Sequence, residues 1–167
     1  VDLSFDLTLN GSLTGEAPLS RLSGPGWIRG RNVQVQPGAF GGDLLTMIEK
    51  KETWTADVPK VSMRMEGGKI HHSGFPIKLS DHELSTSGWI GLDGSYRLDL
   101  NVPITERMVE QYPNLKPLKG DHLTVPVTKT DGKTRVGIEE ALRKSIQKAL
   151  KKKAEDRLRE GLDRLLK

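Results

Sequence analysis

The chain contains no cysteine in 167 residues. That excludes a disulfide framework and thiolate metal sites, and it fits either a reducing compartment or a periplasmic protein that is stable without bridges. Aromatic residues are scarce, with three Trp, two Tyr and three Phe, and the hydrophobic fraction is only 35%, so the expected core is thin. No apolar run approaches the roughly 18 residues a membrane-spanning helix needs, and no signal-peptide pattern opens the chain. Val1 already sits inside an alternating segment, which reads as a piece of something longer. The glycine pairs at 24 and 26 and at 67 and 68 fit no phosphate-loop spacing and read as turns.

Catalytic and metal-binding patterns are equally sparse. His71-His72 with His82 and His122 is the only metal-like grouping, but neighbours on a strand point to opposite faces, so no metal site is expected. Asp81, Glu83, Asp93 and Asp99 lack a cleft-forming motif and read as strand and turn positions, not as paired catalytic carboxylates. The expectation is a non-enzymatic domain without a cofactor. Trp27, Trp54 and Trp89 are either a carbohydrate-stacking platform or core and rim residues, the second being the ordinary role.

What the chain does have is order. Residues 1–136 hold short strand-like segments rich in turn residues, and they carry 16 basic against 16 acidic side chains. Residues 137–167 form one basic amphipathic segment with 10 against 6, so the whole net charge of +4 resides there. A nucleic-acid partner for the strand region therefore has no electrostatic support. The expected fold is mainly β (α+β): a twisted antiparallel sheet or meander with one apolar face, a short internal helix and a C-terminal helix packed on or beside it.

Val1, Leu3, Phe5, Leu7 and Leu9 alternate with polar residues, the period-two mark of a strand with one wet face, and Asn10-Gly11 ends it. A second strand is expected over Trp27–Val35, then a short helix capped by Asp43. Further strands are expected over Val58–Met65, Lys69–His72, Phe75–Leu79 and Leu84–Leu92. Around Asp93-Gly94 a two-residue turn would pair Trp89 with Leu98. A three-residue loop over Asp93–Ser95 would instead pair Leu92 with Tyr96 and place Leu84, Ile90, Leu92, Tyr96, Leu98, Leu100, Val102 and Ile104 on one face. The apolar pattern favours the second, because a one-residue slip inverts every side chain.

Val-Pro at 58, 102 and 125 marks strand ends, edges or bulges, since proline cannot donate to a ladder. Such edges are where neighbouring sheet segments of a longer parent chain would join. Thr105 caps an expected helical turn that Pro113 limits. Ser-Gly-Pro-Gly-Trp-Ile at 23–28 and Ser-Gly-Trp-Ile at 87–90 form a weak internal echo.

In the tail, Ile138, Leu142, Ile146, Ala149, Leu150, Leu158, Leu162, Leu165 and Leu166 recur at helical spacing. Lys151, Lys152 and Lys153 interrupt the stripe, where a kink or a change of partner is expected. Two readings stand: the stripe packs on the sheet, or part of the helix lies on an anionic membrane or lids a lipid-binding groove. For the second, the contributing residues are Leu142, Ile146, Leu150, Lys151–Lys153, Leu158 and Leu162.

The stretch Val61–Ile104, with Met-Glu-Gly-Gly-Lys-Ile at 65–70 and Leu-Ser-Thr-Ser-Gly-Trp-Ile-Gly-Leu-Asp-Gly-Ser-Tyr-Arg-Leu-Asp-Leu at 84–100, resembles the C-terminal region of AsmA-like envelope proteins. Leu-Lys-Gly-Asp-His-Leu-Thr-Val-Pro at 118–126, followed by a Lys-rich helix, is similar to that family's late segment. The resemblance implies a periplasmic domain, part of an inner-membrane-anchored protein, whose apolar groove binds or conducts phospholipid or another acyl lipid in outer-membrane biogenesis. The residues expected to line that groove are Phe5, Leu7, Leu9, Ile90, Leu92, Tyr96, Leu98, Leu100 and Val102. The alternative is a structural or protein-interaction module whose sheet is covered by its own helix.

Overall fold

The structure, a computed structural model, describes residues 2–12, 14, 18–35, 48, 54–79 and 82–165. Eight strands follow one another as neighbours in a single antiparallel sheet, in the order of the chain. They are β1 (Asp2–Leu7), β2 (Gly24–Val35), β3 (Trp54–Glu66), β4 (Lys69–Leu79), β5 (His82–Gly91), β6 (Tyr96–Pro103), β7 (His122–Thr130) and β8 (Lys133–Val136). Between β6 and β7 stand α1 (Glu106–Gln111) and a 3-10 helix (Pro113–Leu118), and α2 (Ile138–Leu165) follows β8. The mainly β fold expected from the alternating pattern is the one observed.

β2, β3 and β4 run longer than the pattern alone implied. The Lys69–His72 and Phe75–Leu79 segments are one strand, β4, whose register shifts between His72 and Phe75 around Gly74 at φ +60°. That bulge restores the inward direction of Phe75 and Ile77 after His72, which the simple alternation would have lost. β2 begins at Gly24, because Gly24 and Gly26 lie so close to β1 that a Cβ there would meet the Thr8 and Asp6 carbonyls. The helix expected after Asp43 lies outside the described residues, apart from Ile48, which is helical and buried.

The β5–β6 hairpin corrects the expected register. Ile90 pairs with Tyr96, Gly88 with Leu98 and Thr86 with Leu100. The loop is Leu92–Gly94: Gly94 N–H donates to the Gly91 carbonyl (3.0 Å), Gly91 N–H donates to Ser95 (2.7 Å), and Gly94 takes φ +80°. A turn that starts one residue earlier slips the pairing by two, so the apolar residues keep their common face while their partners change.

The prolines of the three Val-Pro pairs lie where a ladder donor is dispensable. Pro59 falls in the register irregularity between β2 and β3, and Pro103 ends β6. Pro126 is inside β7, but its carbonyl accepts from Gly137 N–H (2.8 Å), so its nitrogen also faces the side where β8 has already ended. From His122 to Pro126, β7 has no β8 partner, and α2 packs on β7 there.

The core occupies one end of the inner face of the sheet. Leu84, Leu98, Leu100, Val102, Leu123, Val125 and Val127 gather under Met108 of α1, Leu115 and Leu118 of the 3-10 helix, and Ala141, Leu142 and Ala149 of α2. Thr105 caps α1 as expected, its hydroxyl accepting from Met108 N–H.

Candidate functional site: an uncovered apolar face

The inner face does not end where its helical cover ends. Cross-strand pairing places Leu3, Phe5 and Leu7 of β1 opposite Gly30, Ile28 and Gly26 of β2, and carries the same face through Val61, Met63 and Met65 of β3 to Ile70 of β4 and Ile90 of β5. Leu3, Phe5, Leu9, Ile90 and Leu92 are large apolar side chains left between 37% and 70% exposed. Ile28, Met63, Ile70 and Phe75 beside them are half-buried. The strip crosses β1 to β5, four strand spacings or roughly 19 Å.

Glycines make this face shallow. Gly24, Gly26, Gly30 and Gly88 all lie at inward positions by register, so between Gly24 and Gly30 only Ile28 rises above β2, and β5 has a gap between Thr86 and Ile90. Gly88 is also fixed locally: it has φ +139°, and a Cβ would lie 2.1 Å from the Arg97 carbonyl oxygen.

One polar pair interrupts the strip. His72 Nε2 lies 2.8 Å from Thr86 Oγ1, and the imidazole packs edge-on against Phe75 at 5.4 Å between ring centres. Partial burial, and secondarily His71, holds the His72 pKa below its ordinary 6.5, so the ring is neutral at pH 7. His71 lies on the opposite face, paired with Arg64 and Trp89. Among the described residues no three metal-ligating side chains converge.

The structure divides the expected groove residues into two sets. Phe5, Leu9, Ile90 and Leu92 are exposed on the uncovered strip, with Leu7 half-buried among them. Leu98, Leu100 and Val102 are buried in the core, because α1, the 3-10 helix and α2 occupy the space above β6 and β7. Tyr96 stands at the boundary, half-buried, its hydroxyl 3.3 Å from Thr134 Oγ1. Sequence reasoning missed Ile28, Met63, Ile70 and Phe75; the signal for them was register, which glycines and bulges obscured.

The tail helix is also divided. Leu142 is buried and Ile146 half-buried, whereas Leu150, Lys151, Lys153 and Leu158 are exposed; the side chains of Lys152 and Leu162 lie outside those described. At 100° per residue, the packed stripe (Ile138, Ala141, Leu142, Ile146, Ala149) and the later one (Leu150, Ala154, Leu158) point roughly 140° apart. The single amphipathic stripe read from spacing is therefore two stripes on different sides of one unbroken helix. No helix among the described residues is long and apolar enough to cross a membrane.

These features define an antiparallel β-meander domain with a partial helical cover and an accessible apolar face. No family model, curated protein or solved structure matches the chain.

Proposed function

We propose that this chain is a non-enzymatic cell-envelope domain that binds or conducts phospholipid along the uncovered strip. The observation that carries the reading is the continuity of the inner apolar face beyond its own helices, with five large hydrophobic side chains exposed on it. Covering the part of each that is still exposed would contribute roughly 0.5 to 2 kcal/mol, through the same transfer term that holds a core together. An acyl chain suits the strip because the inward glycines leave a shallow path with no charged side chain on it among the described residues.

The short AsmA-like motifs agree with this reading and extend it to a periplasmic location and to outer-membrane biogenesis. In that context the exposed half of α2 is a candidate contact for an anionic membrane surface, since Leu150, Ala154 and Leu158 share a side while Lys151 and Lys153 stand beside them. β1, at the sheet edge, is the candidate junction with neighbouring sheet segments. A second reading, a structural or interaction module, is favoured by the burial of Leu98, Leu100 and Val102 beneath the chain's own helices. On that reading the strip is a protein contact.

Native mass spectrometry after incubation with phosphatidylethanolamine and phosphatidylglycerol vesicles tests the proposal. Bound phospholipid at defined stoichiometry, lost in a Phe5→Asp, Ile90→Asp double variant that remains folded, is the expected result. A clean apo mass, or lipid uptake unchanged by the double variant, transfers the strip to the structural reading.

A further inference from the structure

The outer face of the sheet carries a row of directly opposed cross-strand neighbours: Arg64 on β3, His71 on β4, Trp89 on β5, Arg97 on β6, Thr128 on β7 and Arg135 on β8. Lys69, one position along, holds its ammonium 4.0 Å from the centre of the Trp89 ring. The arginines are exposed, and Arg64 keeps only a loose 3.7 Å pairing with Glu66. Around the row stand Arg64, Lys69, Arg97, Lys133 and Arg135, with Glu66 and Asp99 among them and Asp93 and Asp131 at the hairpin tips. The arginines are spaced along the row, Arg97 and Arg135 two strands apart and Arg64 and Arg97 three, or roughly 10 and 14 Å, a spacing that suits substituents along an extended chain.

The same tryptophan walls a cavity of about 520 Å³ between the tips of the β5–β6 and β7–β8 hairpins. Asp93, Ser95, Lys129, Thr130 and Asp131 also line it, so an aromatic side chain borders a pocket of hydrogen-bonding groups. That is the chemistry of a sugar site: the ring stacks on C–H faces while carboxylates and hydroxyls take the sugar hydroxyls.

We infer that the outer face binds an acidic glycan, one sugar seated against Trp89 and anionic substituents along the chain pairing with Arg97, Arg64 and Arg135. Arginine suits this because its guanidinium meets carboxylate or phosphate in a bidentate pair. Single-stranded nucleic acid fits less well. A stacking platform for bases presents successive aromatics, whereas this row has one. The surface lies on the opposite side of the sheet from the lipid strip, so each proposal stands or fails alone.

Isothermal titration of the full chain with a carboxylated oligogalacturonide, neutral dextran and oligo(dT) tests the inference. Expected are saturable binding of the oligogalacturonide only, a roughly ten-fold or greater loss in Trp89→Ala, and a similar loss per charge in Arg97→Glu and Arg135→Glu. Lys148→Glu on α2 should leave binding unchanged, which separates a site from bulk charge. Urea melts identify variants that fail to fold; Trp89→Phe, which keeps a ring, then replaces Trp89→Ala and should retain binding. No binding, tighter oligo(dT) binding, equal loss in Lys148→Glu, or indifference to Trp89 and the arginines overturns the inference.

Discussion

Leu142 and Leu150 lie about two turns apart on one continuous helix and roughly 80° apart around it, and Leu142 is 7% exposed while Leu150 is 63%. The packed stripe passes to the other side of α2 beyond Ala149, so the helix stabilises the sheet through its first turns only. Leu142→Ala should therefore cost about 2 to 5 kcal/mol, as buried truncations do. Leu158→Ala should stay within about 0.5 kcal/mol of the parent chain. Urea unfolding of both variants measures the difference.

The hairpin glycines differ in the same way. A Cβ on Gly88 would overlap the Arg97 carbonyl at a φ that side chains rarely adopt. Gly88→Ala should destabilise by at least about 2 kcal/mol, combining backbone strain with a forced shift of β6. Gly94 has φ +80° but open space around it, so Gly94→Ala should cost only about 1 kcal/mol. Equal losses on thermal or urea unfolding would show that the close β5–β6 approach is relaxed in solution.

His72 gives stability a pH dependence. Its folded-state pKa is held below the ordinary 6.5, chiefly by burial, so between those two values the unfolded chain binds more protons. Stability from the neutral His72–Thr86 contact is fully present above pH 6.5 and is lost as pH falls through the lower folded value. Unfolding measured from pH 7.5 to 5 should show this slope, and His72→Gln should flatten it. Asp93 and Glu140 have lowered values too, from the hydrogen bonds of Ser95 and Lys144, and act below the ordinary carboxylate range.

A charge distinguishes core from strip. Leu98→Asp should unfold the domain, because it buries an unpaired carboxylate among Leu100, Val125 and Val127. Ile90→Asp, on the same face but exposed, should leave the melting transition within a few degrees of the parent. Circular dichroism melts of the two variants check this directly.

Much of the architecture was legible along the chain. Alternation at Leu3, Phe5 and Leu7 and at Leu98, Leu100 and Val102 identified strands with one apolar face, because side-chain direction in a strand is a local, period-two property. Thr105 before Glu106 announced a cap, and the spacing from Ile138 onward announced a helix, for equally local reasons. The alternation could not rank positions within that face: Phe5 and Leu98 carry the same pattern and end in opposite environments.

Local pattern therefore set the elements, the face each apolar residue shares and the concentration of positive charge in the tail. Tertiary structure alone decided the β5–β6 register, through a turn opening at Gly91, and the fusion of two segments into β4 through a bulge. It also decided which apolar residues are core. Strand and helix periodicity follow from backbone geometry between neighbours, whereas cover depends on where α2 runs after β8 stops, a contact between parts of the chain that no local pattern encodes.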